Sequence, residues 1–174
     1  MKFSIRYGTH LPVLLRALEL TDGPVLELGA GIFSTPVLHW LCTRDKRQLV
    51  SMDNDPRFYD WAGRFANEYH RLELVDNWDK ADIEYPWDVV LVDHSPGERR
   101  VVEIRRLAFY AKYLIIHDSN GRYKNAYHYE TIYSLFSSLY TFDKVEPATT
   151  VLSNRVDVED MMKGMYEYYT GIYR

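Results

Sequence analysis

The chain is almost without cysteine. Cys42 is the only one among 174 residues, so no disulfide can form within the chain, and a zinc site built from several thiolates is excluded. Cys42 lies beside Trp40 and Leu41 in a helical apolar pattern, which is typical of a small buried hydrophobe. We therefore expect a packing role for this residue.

Long apolar runs are missing as well. No stretch is long enough to span a bilayer, and the first six residues contain no apolar core of signal-peptide length. We therefore expect a cytoplasmic protein with no membrane partner. The sequence has no repeat, linker or low-complexity tract, so its length predicts one domain, 1–174, with an N-terminal helix in 1–22, a core in 23–153 and a helical tail in 154–174.

Positive charge is scarce. The 21 lysines and arginines are outnumbered by 25 aspartates and glutamates, which gives a formal net charge of -4 and a pI near 5.9. Extensive binding to a phosphate backbone needs a basic face, so this balance argues against a nucleic-acid partner. The remaining composition, 47% hydrophobic and 26% charged, is that of a globular protein.

Apolar runs of strand length alternate with segments of helical periodicity along the whole chain. Strands are predicted to start at Val25, Gln48, Leu72, Trp87 and Tyr113, with a final hairpin at 141–145 and 149–152. This alternation predicts an α/β fold, namely a doubly wound, Rossmann-like, mostly parallel seven-stranded sheet with a C-terminal antiparallel hairpin and helices on both faces. Ligands bind outside the carboxyl ends of the strands in such sheets.

Three of the predicted helices lie between these strands. Residues 58–69 show the clearest amphipathic spacing in the chain, and residues 132–139 indicate another helix. A third helix comes after the Pro-Gly pair at 96–97. Its apolar residues are expected to face inward, and the arginines at 99, 100, 105 and 106 are expected on its solvated face.

The stretch Val25-Leu26-Glu27-Leu28-Gly29-Ala30-Gly31-Ile32-Phe33-Ser34-Thr35 reads as a buried strand, a tight turn and a helix N-terminus. Backbone N–H groups converge at such a junction and can hold an anion or a nucleoside. The carboxylate of Glu27 stands two residues before the first glycine. It would repel a pyrophosphate and attract an ammonium group, which favours S-adenosylmethionine over NAD.

Acidic residues follow the other predicted strands. Asp53 ends the second strand about twenty residues after the glycines, where an acid can accept hydrogen bonds from both ribose hydroxyls. Asp76 follows the third strand, and Asp93 and Asp118 end the fourth and fifth. Because the carboxyl ends of neighbouring parallel strands meet at one edge of a sheet, we expect Asp93 and Asp118 to converge on one cleft.

The order of these motifs resembles that of the class I S-adenosylmethionine-dependent methyltransferases over residues 9 to 153. Residues 25–31 are similar to the family's first motif, residues 87–93 and 115–118 to its fourth- and fifth-strand motifs, and the final hairpin to its sixth and seventh strands. The resemblance implies the family's fold, S-adenosylmethionine as cofactor, and methyl transfer as the reaction.

The resemblance also implies the cofactor contacts. Asp53, with Asn54 beside it, stands at the ribose-binding acid, and Asp76 stands at the position near the adenine. The family's usual third glycine is absent, and Ser34-Thr35 resembles members that hold the cofactor carboxylate with Ser or Thr. The expected contacts are Glu27, Gly29, Gly31, Ser34, Thr35, Asp53, Asn54, Asp76 and Asp93.

Two interpretations of the chemistry stay open. In the first, Asp93, Asp118 and Asn120 hold a Mg²⁺ ion that acidifies an acceptor hydroxyl. This resembles the catechol-type O-methyltransferases, although their adjacent Asp-Asn pair is interrupted here by Ser119. In the second, His94 or His117 acts as a general base without a metal. The expected catalytic residues are Asp93, His94, His117 and Asp118.

The predicted function is transfer of a methyl group from S-adenosylmethionine to a small-molecule acceptor, with O-methylation favoured. A nucleotide-dependent Rossmann oxidoreductase and a non-catalytic S-adenosylmethionine-binding module are the alternatives. The tail indicates packing on the body of the protein, with a homodimer contact or a lid as the alternatives. Its apolar residues at helical spacing are Val158, Met161, Met162, Met165, Tyr169 and Ile172.

Overall fold

Seven strands form the sheet at the centre of the computed structural model, which describes residues 4–163. They are β1 (Val25–Leu28), β2 (Leu49–Asp53), β3 (His70–Leu74), β4 (Trp87–Val92), β5 (Ala111–Ile116), β6 (Ser138–Phe142) and β7 (Thr149–Ser153). The strand order is β3-β2-β1-β4-β5-β7-β6. Strands β1 to β5 are parallel, and β7 is antiparallel to both of its neighbours. The predicted doubly wound, Rossmann-like α/β fold with its terminal hairpin is confirmed.

Within the described residues, one α-helix precedes the first strand and four lie between later strands. They are α1 (Leu11–Glu19), α2 (Ser34–Arg44), α3 (Pro56–Ala62), α4 (Arg100–Leu107) and α5 (Gly121–Ala126). The start of α3 is well specified by sequence, because the Asp55 side chain accepts the backbone N–H of Arg57 and Pro56 occupies the first turn. Helix α5 was not predicted, because its sequence, Gly-Arg-Tyr-Lys-Asn-Ala, carries no apolar periodicity.

The central strands are buried on both faces, which explains their near-continuous apolar runs. On β4, Val90 and Val92 belong to one core and Val89 and Leu91 to the other. Helix α4 packs on the first core, and α1 and α2 pack on the second. The outer ends of the strands are therefore the part of the sheet that is left for a ligand.

The helix predicted over residues 58–69 is too long. Helix α3 ends at Ala62, a 3₁₀ turn follows, and the chain then turns into β3. The Asn67 side chain accepts the backbone N–H groups of Tyr69 and His70, at 2.8 and 2.9 Å. This side-chain bonding competes with a helical ladder, so the apolar spacing alone overestimated the helix.

The helix predicted over residues 132–139 is wrong. Two 3₁₀ turns, Tyr129–Thr131 and Tyr133–Leu135, are followed at once by β6. Leu139 lies opposite Leu152 of β7, and Phe142 lies opposite Thr149. Pairing with β7 fixes this register, so β6 also begins three residues before the predicted strand at 141–145.

The first part of the tail packs on the body of the protein. Val158, Met161 and Met162 are buried in the core that faces α1 and α2, whereas Met165, Tyr169 and Ile172 lie outside the described residues. The homodimer contact therefore stays a prediction. Within residues 4–163, no helix has the length and apolar character needed to cross a membrane.

Candidate functional site

The turn after β1 depends on Gly29. Its φ of +98° is one that side-chain-bearing residues rarely adopt, and a Cβ there would lie 2.6 Å from the backbone nitrogen of His94. The β1 turn and the end of β4 therefore touch backbone to backbone, which only glycine allows. This contact places the loop after β1 beside the loop after β4.

The N–H groups of this turn are already used within the protein. Gly29 donates to the carbonyl of Met52 at 2.8 Å, Ala30 to a carboxylate oxygen of Asp53 at 2.8 Å, and Gly31 to the hydroxyl of Thr35 at 2.9 Å. The turn was expected to offer converging N–H groups to an anion. These three donors are instead committed to the protein itself.

Asp53 joins the first turn to the second. Besides Ala30, it accepts the backbone N–H of Asp55 at 2.7 Å, so each carboxylate oxygen holds one backbone donor and keeps a further lone pair. Burial raises the pKa of Asp53, and the two backbone hydrogen bonds oppose that shift. Next to it, the Oδ1 atom of Asn54 is buried and has no hydrogen-bond partner. Both side chains border a cleft at the carboxyl ends of the strands.

Glu27 lies behind the turn and does not border this cleft. Its side chain is fully buried and accepts hydrogen bonds from the hydroxyls of Thr35, at 2.9 and 3.0 Å, and of Ser51, at 2.5 Å. Thr35 in turn holds the Gly31 N–H. The expected contact between Glu27 and a ligand ammonium is therefore replaced by a structural role, in which Glu27 positions the turn through Thr35.

The hydrogen bonds continue beyond Glu27 toward the edge of the sheet. Ser51 Oγ lies 2.9 Å from Nε2 of His70, and Nδ1 of His70 lies 3.3 Å from Nδ1 of His39. Burial and the neighbouring His39 lower the pKa of His70 to about 4. His70 is therefore neutral at pH 7 and does not neutralise Glu27 directly.

Replacement of Glu27 by glutamine should change how stability depends on pH. Burial raises the pKa of Glu27 to about 7 from an ordinary 4.5, against the opposing hydrogen bonds of Ser34, Ser51 and Thr35. Since the folded state holds this proton more tightly than the unfolded state, the Glu27 contribution to stability falls as pH rises from about 4.5 to about 7. Relative to Glu27→Gln, the wild type should lose about 2 to 3 kcal/mol between about pH 5 and pH 8.

Urea unfolding of both proteins across this range measures the difference. Glu68→Gln, at an exposed position, is the control and should follow the wild-type pH profile. Parallel profiles for the wild type and Glu27→Gln would show that the buried carboxyl does not titrate in this range.

Arg100 organises the ends of β4 and β5. Its guanidinium donates to the carbonyls of His94, Asp93 and His117, at 2.8, 2.9 and 3.4 Å, and pairs with the Asp93 carboxylate at 2.9 Å. Only 5% of its side chain is exposed. The sequence placed this arginine on a solvated helix face, so this expectation is wrong. Its cationic fork instead cross-links two strand ends.

Asp93 and His117 form a pair beside Arg100. Nδ1 of His117 lies 3.2 Å from Oδ2 of Asp93, and Nε2 of His117 lies 2.9 Å from the hydroxyl of Thr9. Burial alone would raise the pKa of Asp93, but Arg100 and His117 hold it well below its usual range. Burial alone would lower the pKa of His117, but Asp93 raises it above its ordinary value.

His10 completes this corner of the site. Its ring meets that of His117 edge to face, with centroids 4.8 Å apart, and the residue is 1% exposed. Neither ring nitrogen has a hydrogen-bond partner. Burial and the facing His117 lower the pKa of His10 to about 4, so His10 is a neutral imidazole with unused nitrogen atoms.

Two of the predicted site residues, His94 and Asp76, do not lie where the predicted roles require. The His94 ring is fully buried, stacks on Trp78 at 4.3 Å, and approaches Glu103 to 3.2 Å without hydrogen-bond geometry. His94 borders the cleft, but its side chain is fully buried, so the role of general base is not assigned to it. Asp76 is exposed and does not border the cleft, so the adenine contact implied for it has no support from this geometry.

The predicted Mg²⁺ ligands do not form a ligand set. Oδ1 of Asn120 accepts the backbone N–H of Ala148 at 3.0 Å, and Asp93 is paired with Arg100 and His117. Asp118 lies 3.8 Å from Arg100 and adopts a φ of +56°. Asn120 thus fixes the loop after β5 through its Oδ1 atom, and it does not join Asp93 and Asp118 in a shared set of oxygen ligands.

The cleft, of about 1360 Å³, lies outside the carboxyl ends of β1, β2, β4 and β5. One half is bordered by the turn after β1 with Asp53 and Asn54, and the other half by Asp93, His117 and Asp118. The N-terminal segment covers it with Ser4, Arg6, Tyr7 and His10, and α5 adds Tyr123 and Tyr127.

Sequence reasoning missed α5 as a wall of the cleft. For the N-terminal segment, the Thr9-His10 pair before the first strand favours either closure over the cofactor site or a helix cap, and His10 borders the cleft. The Thr9-His10 pair precedes α1 and is far from the strand-end motifs in sequence, yet Thr9 bonds to His117 across 108 positions. A histidine directly before a predicted helix was the one available signal. Its pattern is indistinguishable from that of an ordinary cap.

No family model and no curated protein matches the chain, whereas solved structures do. A human methyltransferase 10 domain containing protein is similar with a TM-score of 0.61 and 11% identity, over 84% of this chain and 82% of its own. TrmK of M. capricolum, solved with S-adenosyl-homocysteine, is similar with a TM-score of 0.53 and 12% identity, over 92% of this chain and 82% of its own. A Methanococcus jannaschii fibrillarin pre-rRNA processing protein is similar with a TM-score of 0.54 and 18% identity, over 76% of this chain and 67% of its own.

At these identities the likeness establishes the fold. The chain has the Rossmann-like fold of the class I S-adenosylmethionine-dependent methyltransferases, as the sequence resemblance implied. The cleft lies at the carboxyl ends of the strands, where such folds bind their ligands.

Proposed function

We infer that the chain is an S-adenosylmethionine-dependent methyltransferase with a small-molecule acceptor, O-methylation being favoured. The observation that carries this proposal is the bond between Asp53 and the Ala30 N–H, which holds the second-strand acid against the glycine turn. A nucleoside in this half of the cleft meets a carboxylate with spare lone pairs and, at Asn54, a buried oxygen that lacks a donor. The S-adenosyl-homocysteine complex of the structurally similar TrmK supports the same cofactor.

The committed N–H groups of the turn argue against the oxidoreductase alternative. A dinucleotide needs free N–H groups at this junction for its pyrophosphate. Ala30 and Gly31 donate theirs to Asp53 and Thr35 instead. A cofactor without phosphates, such as S-adenosylmethionine, makes no such demand.

The cleft is large enough for two ligands. Its volume of about 1360 Å³ exceeds the roughly 300–1,000 Å³ of ordinary single-ligand pockets. A methyltransferase must bind its cofactor and its acceptor together, and the transfer depends mainly on aligning them. This supports an enzyme over a module that only binds the cofactor.

The charge of the cleft favours a small acceptor over a nucleic acid. Five acids border it, against Arg6 and the internally paired Arg100. The acids are Asp53, Asp55, Asp93, Asp118 and Glu146. A phosphate backbone would be repelled by this set. The similar fold of a pre-rRNA processing protein makes RNA the main competing acceptor, so RNA belongs in any acceptor screen.

We assign the acceptor half of the cleft to Asp93, His117 and Asp118. Asp93 and His117 border it while bonded to each other at 3.2 Å, and Asp118 lies 3.9 Å from His117. In this proposal, the positive sulfonium and a polar acceptor meet beside these carboxylates. Their proposed role is to orient an acceptor hydroxyl and favour the cationic methyl donor.

Calorimetric titration with S-adenosyl-homocysteine, S-adenosylmethionine and NAD tests the cofactor assignment. Both adenosyl ligands should bind and NAD should not. Asp53→Asn should weaken S-adenosyl-homocysteine binding by about 10- to 100-fold, because hydrogen bonds to a charged group are worth about 1.5–3 kcal/mol.

Asp76→Asn is the matched control, because Asp76 is the other acid that the resemblance placed beside the cofactor and it lies outside the cleft. It should bind like the wild type. An equal loss in both variants would refute the assignment of Asp53, and binding of NAD alone would refute the proposed function.

A further inference from the structure

The hydroxyl of Thr9 determines which way the His117 ring donates. Thr9 Oγ1 lies 2.7 Å from the carbonyl oxygen of Pro147, and it has one proton to give. Having donated to that carbonyl, Thr9 can only accept from Nε2–H of His117, at 2.9 Å. In a neutral His117 ring, the lone pair on Nδ1 would then be directed toward Asp93.

Either a second ring proton or a metal ion must lie between Nδ1 of His117 and Asp93. Oδ2 of Asp93 is 3.2 Å from Nδ1, and an imidazole lone pair facing a carboxylate at this distance is repulsive unless a proton or a metal ion separates them. Oδ1 of Asp93 is held by Arg100 at 2.9 Å. Asp118 adds a second carboxylate oxygen 3.9 Å from Nδ1.

His10 supplies a further nitrogen at the same point. Ligand atoms of His10, Asp93 and His117 all lie within 4.8 Å of one another. Both ring nitrogens of His10 are buried without a partner, and a buried polar atom left without a hydrogen bond destabilises the folded protein. A metal ion would bind one of the two ring nitrogens of His10 and would also separate Asp93 from His117.

The surrounding groups resemble those that orient metal ligands. Metal-binding histidines usually donate their other ring N–H to an oxygen, and ligating carboxylates are themselves hydrogen-bonded. Thr9, which is hydrogen-bonded to the carbonyl of Pro147, accepts the ring N–H of His117. Arg100 pairs with the carboxylate of Asp93. Both supporting contacts are already formed.

We propose that His10, Asp93 and His117 bind a divalent transition-metal ion of the Zn²⁺ or Co²⁺ class. Two imidazoles and one carboxylate suit these ions and not Mg²⁺, which prefers oxygen ligands. The site differs from the oxygen-ligand Mg²⁺ site predicted from the sequence, since it uses His10 and leaves out Asn120. Three protein ligands also leave a coordination position open toward the cleft. The metal site itself does not depend on the proposed function. Binding of an acceptor hydroxyl at the open coordination position does rest on it.

Titration of tag-free full-length protein with ZnCl₂, CoCl₂ and MgCl₂ tests the proposal, using calorimetry and the visible spectrum of bound Co²⁺. One Zn²⁺ or Co²⁺ per chain should bind, with Mg²⁺ far weaker. His10→Phe should lose more than about 100-fold in Zn²⁺ affinity. Thr9→Val, which keeps all three ligands, should lose about 10- to 100-fold.

His128→Asn is the control, because His128 is an exposed histidine outside the site, and it should bind like the wild type. Thermal melts with EDTA verify that each variant is folded, and Thr9→Val remains informative if His10→Phe is not. Absence of saturable Zn²⁺ binding, or equal binding by His10→Phe, would overturn the proposal and leave a proton between His117 and Asp93. Binding of S-adenosyl-homocysteine, measured in EDTA, reports on the proposed function separately.

Discussion

Gly29→Ala is expected to destabilise the protein by about 3 kcal/mol and to abolish measurable S-adenosyl-homocysteine binding. Gly29 has a φ of +98°, and an added Cβ would lie 2.6–2.7 Å from backbone atoms of Asp93 and His94. Positive φ alone costs a residue with a side chain about 1–3 kcal/mol. The clash adds to this, because backbone atoms at the end of β4 cannot move aside as a flexible side chain could.

Loss of binding results from the same contact. Relief of the clash requires the turn after β1 to move away from β4, and this breaks the bond between Ala30 and Asp53. Urea unfolding and calorimetry measure the two effects. Gly63→Ala is the matched control, since a Cβ at Gly63 meets nothing within 4 Å and its backbone is helical.

Gly63→Ala should change stability in the opposite direction, by about 0.5–1 kcal/mol, because alanine restricts the unfolded chain more than glycine does. Its cofactor affinity should equal that of the wild type. Wild-type stability and affinity in Gly29→Ala would mean that the turn does not pack backbone to backbone against the end of β4.

The parts of the fold that sequence predicted well are those specified by local pattern. The turn at Gly29 was found because an apolar strand, two glycines and a Ser-Thr pair that opens a helix are adjacent in the chain. The central strands were found because burial on both faces requires continuous apolar runs. By contrast, residues 132–139 carry helical spacing and form turns and a strand, because pairing with β7 outweighs local periodicity.

The site was only partly predictable, because the register between neighbouring strands determines which side chains face the cleft. Glu27 was expected to face a ligand, and its position two residues before Gly29 gave no reason to think otherwise. The parallel pairing places Glu27 directly opposite Ser51, and both then face Thr35 on α2. A shift of one residue in this pairing would reverse which side Glu27 faces, and sequence does not fix that.

Arg100 shows a second limit of prediction from sequence. Buried and exposed arginines occur in the same helix, and the sequence pattern does not distinguish them. In α4, Arg100 is buried and Arg105 is exposed. They differ in position along the helix. Arg100 is at the first turn, beside the strand-end carbonyls that it bonds. The distinction depends on where the helix starts, and that boundary is the least predictable feature of a helix.

Arg100→Met is accordingly expected to destabilise the protein by about 3 kcal/mol, whereas Arg105→Met should change stability by less than about 0.5 kcal/mol. Methionine keeps the length and apolar stem of the arginine. It removes the bonds to three carbonyls and leaves the carboxylate of Asp93 without its guanidinium partner. Urea unfolding in EDTA compares the two variants without any contribution from bound metal.

The cost of Arg100→Met has two sources that a double variant separates. Adding Asp93→Asn removes the uncompensated carboxylate but leaves the carbonyls unpaired, so Arg100→Met/Asp93→Asn should be more stable than Arg100→Met and less stable than the wild type. Failure of the second substitution to restore any stability would assign the cost to the carbonyls alone. Arg100 would then act as a cross-link between β4 and β5, and the negative charge beside His117 would be tolerated without it. That outcome would also remove the electrostatic argument for Arg100 as the support of Asp93.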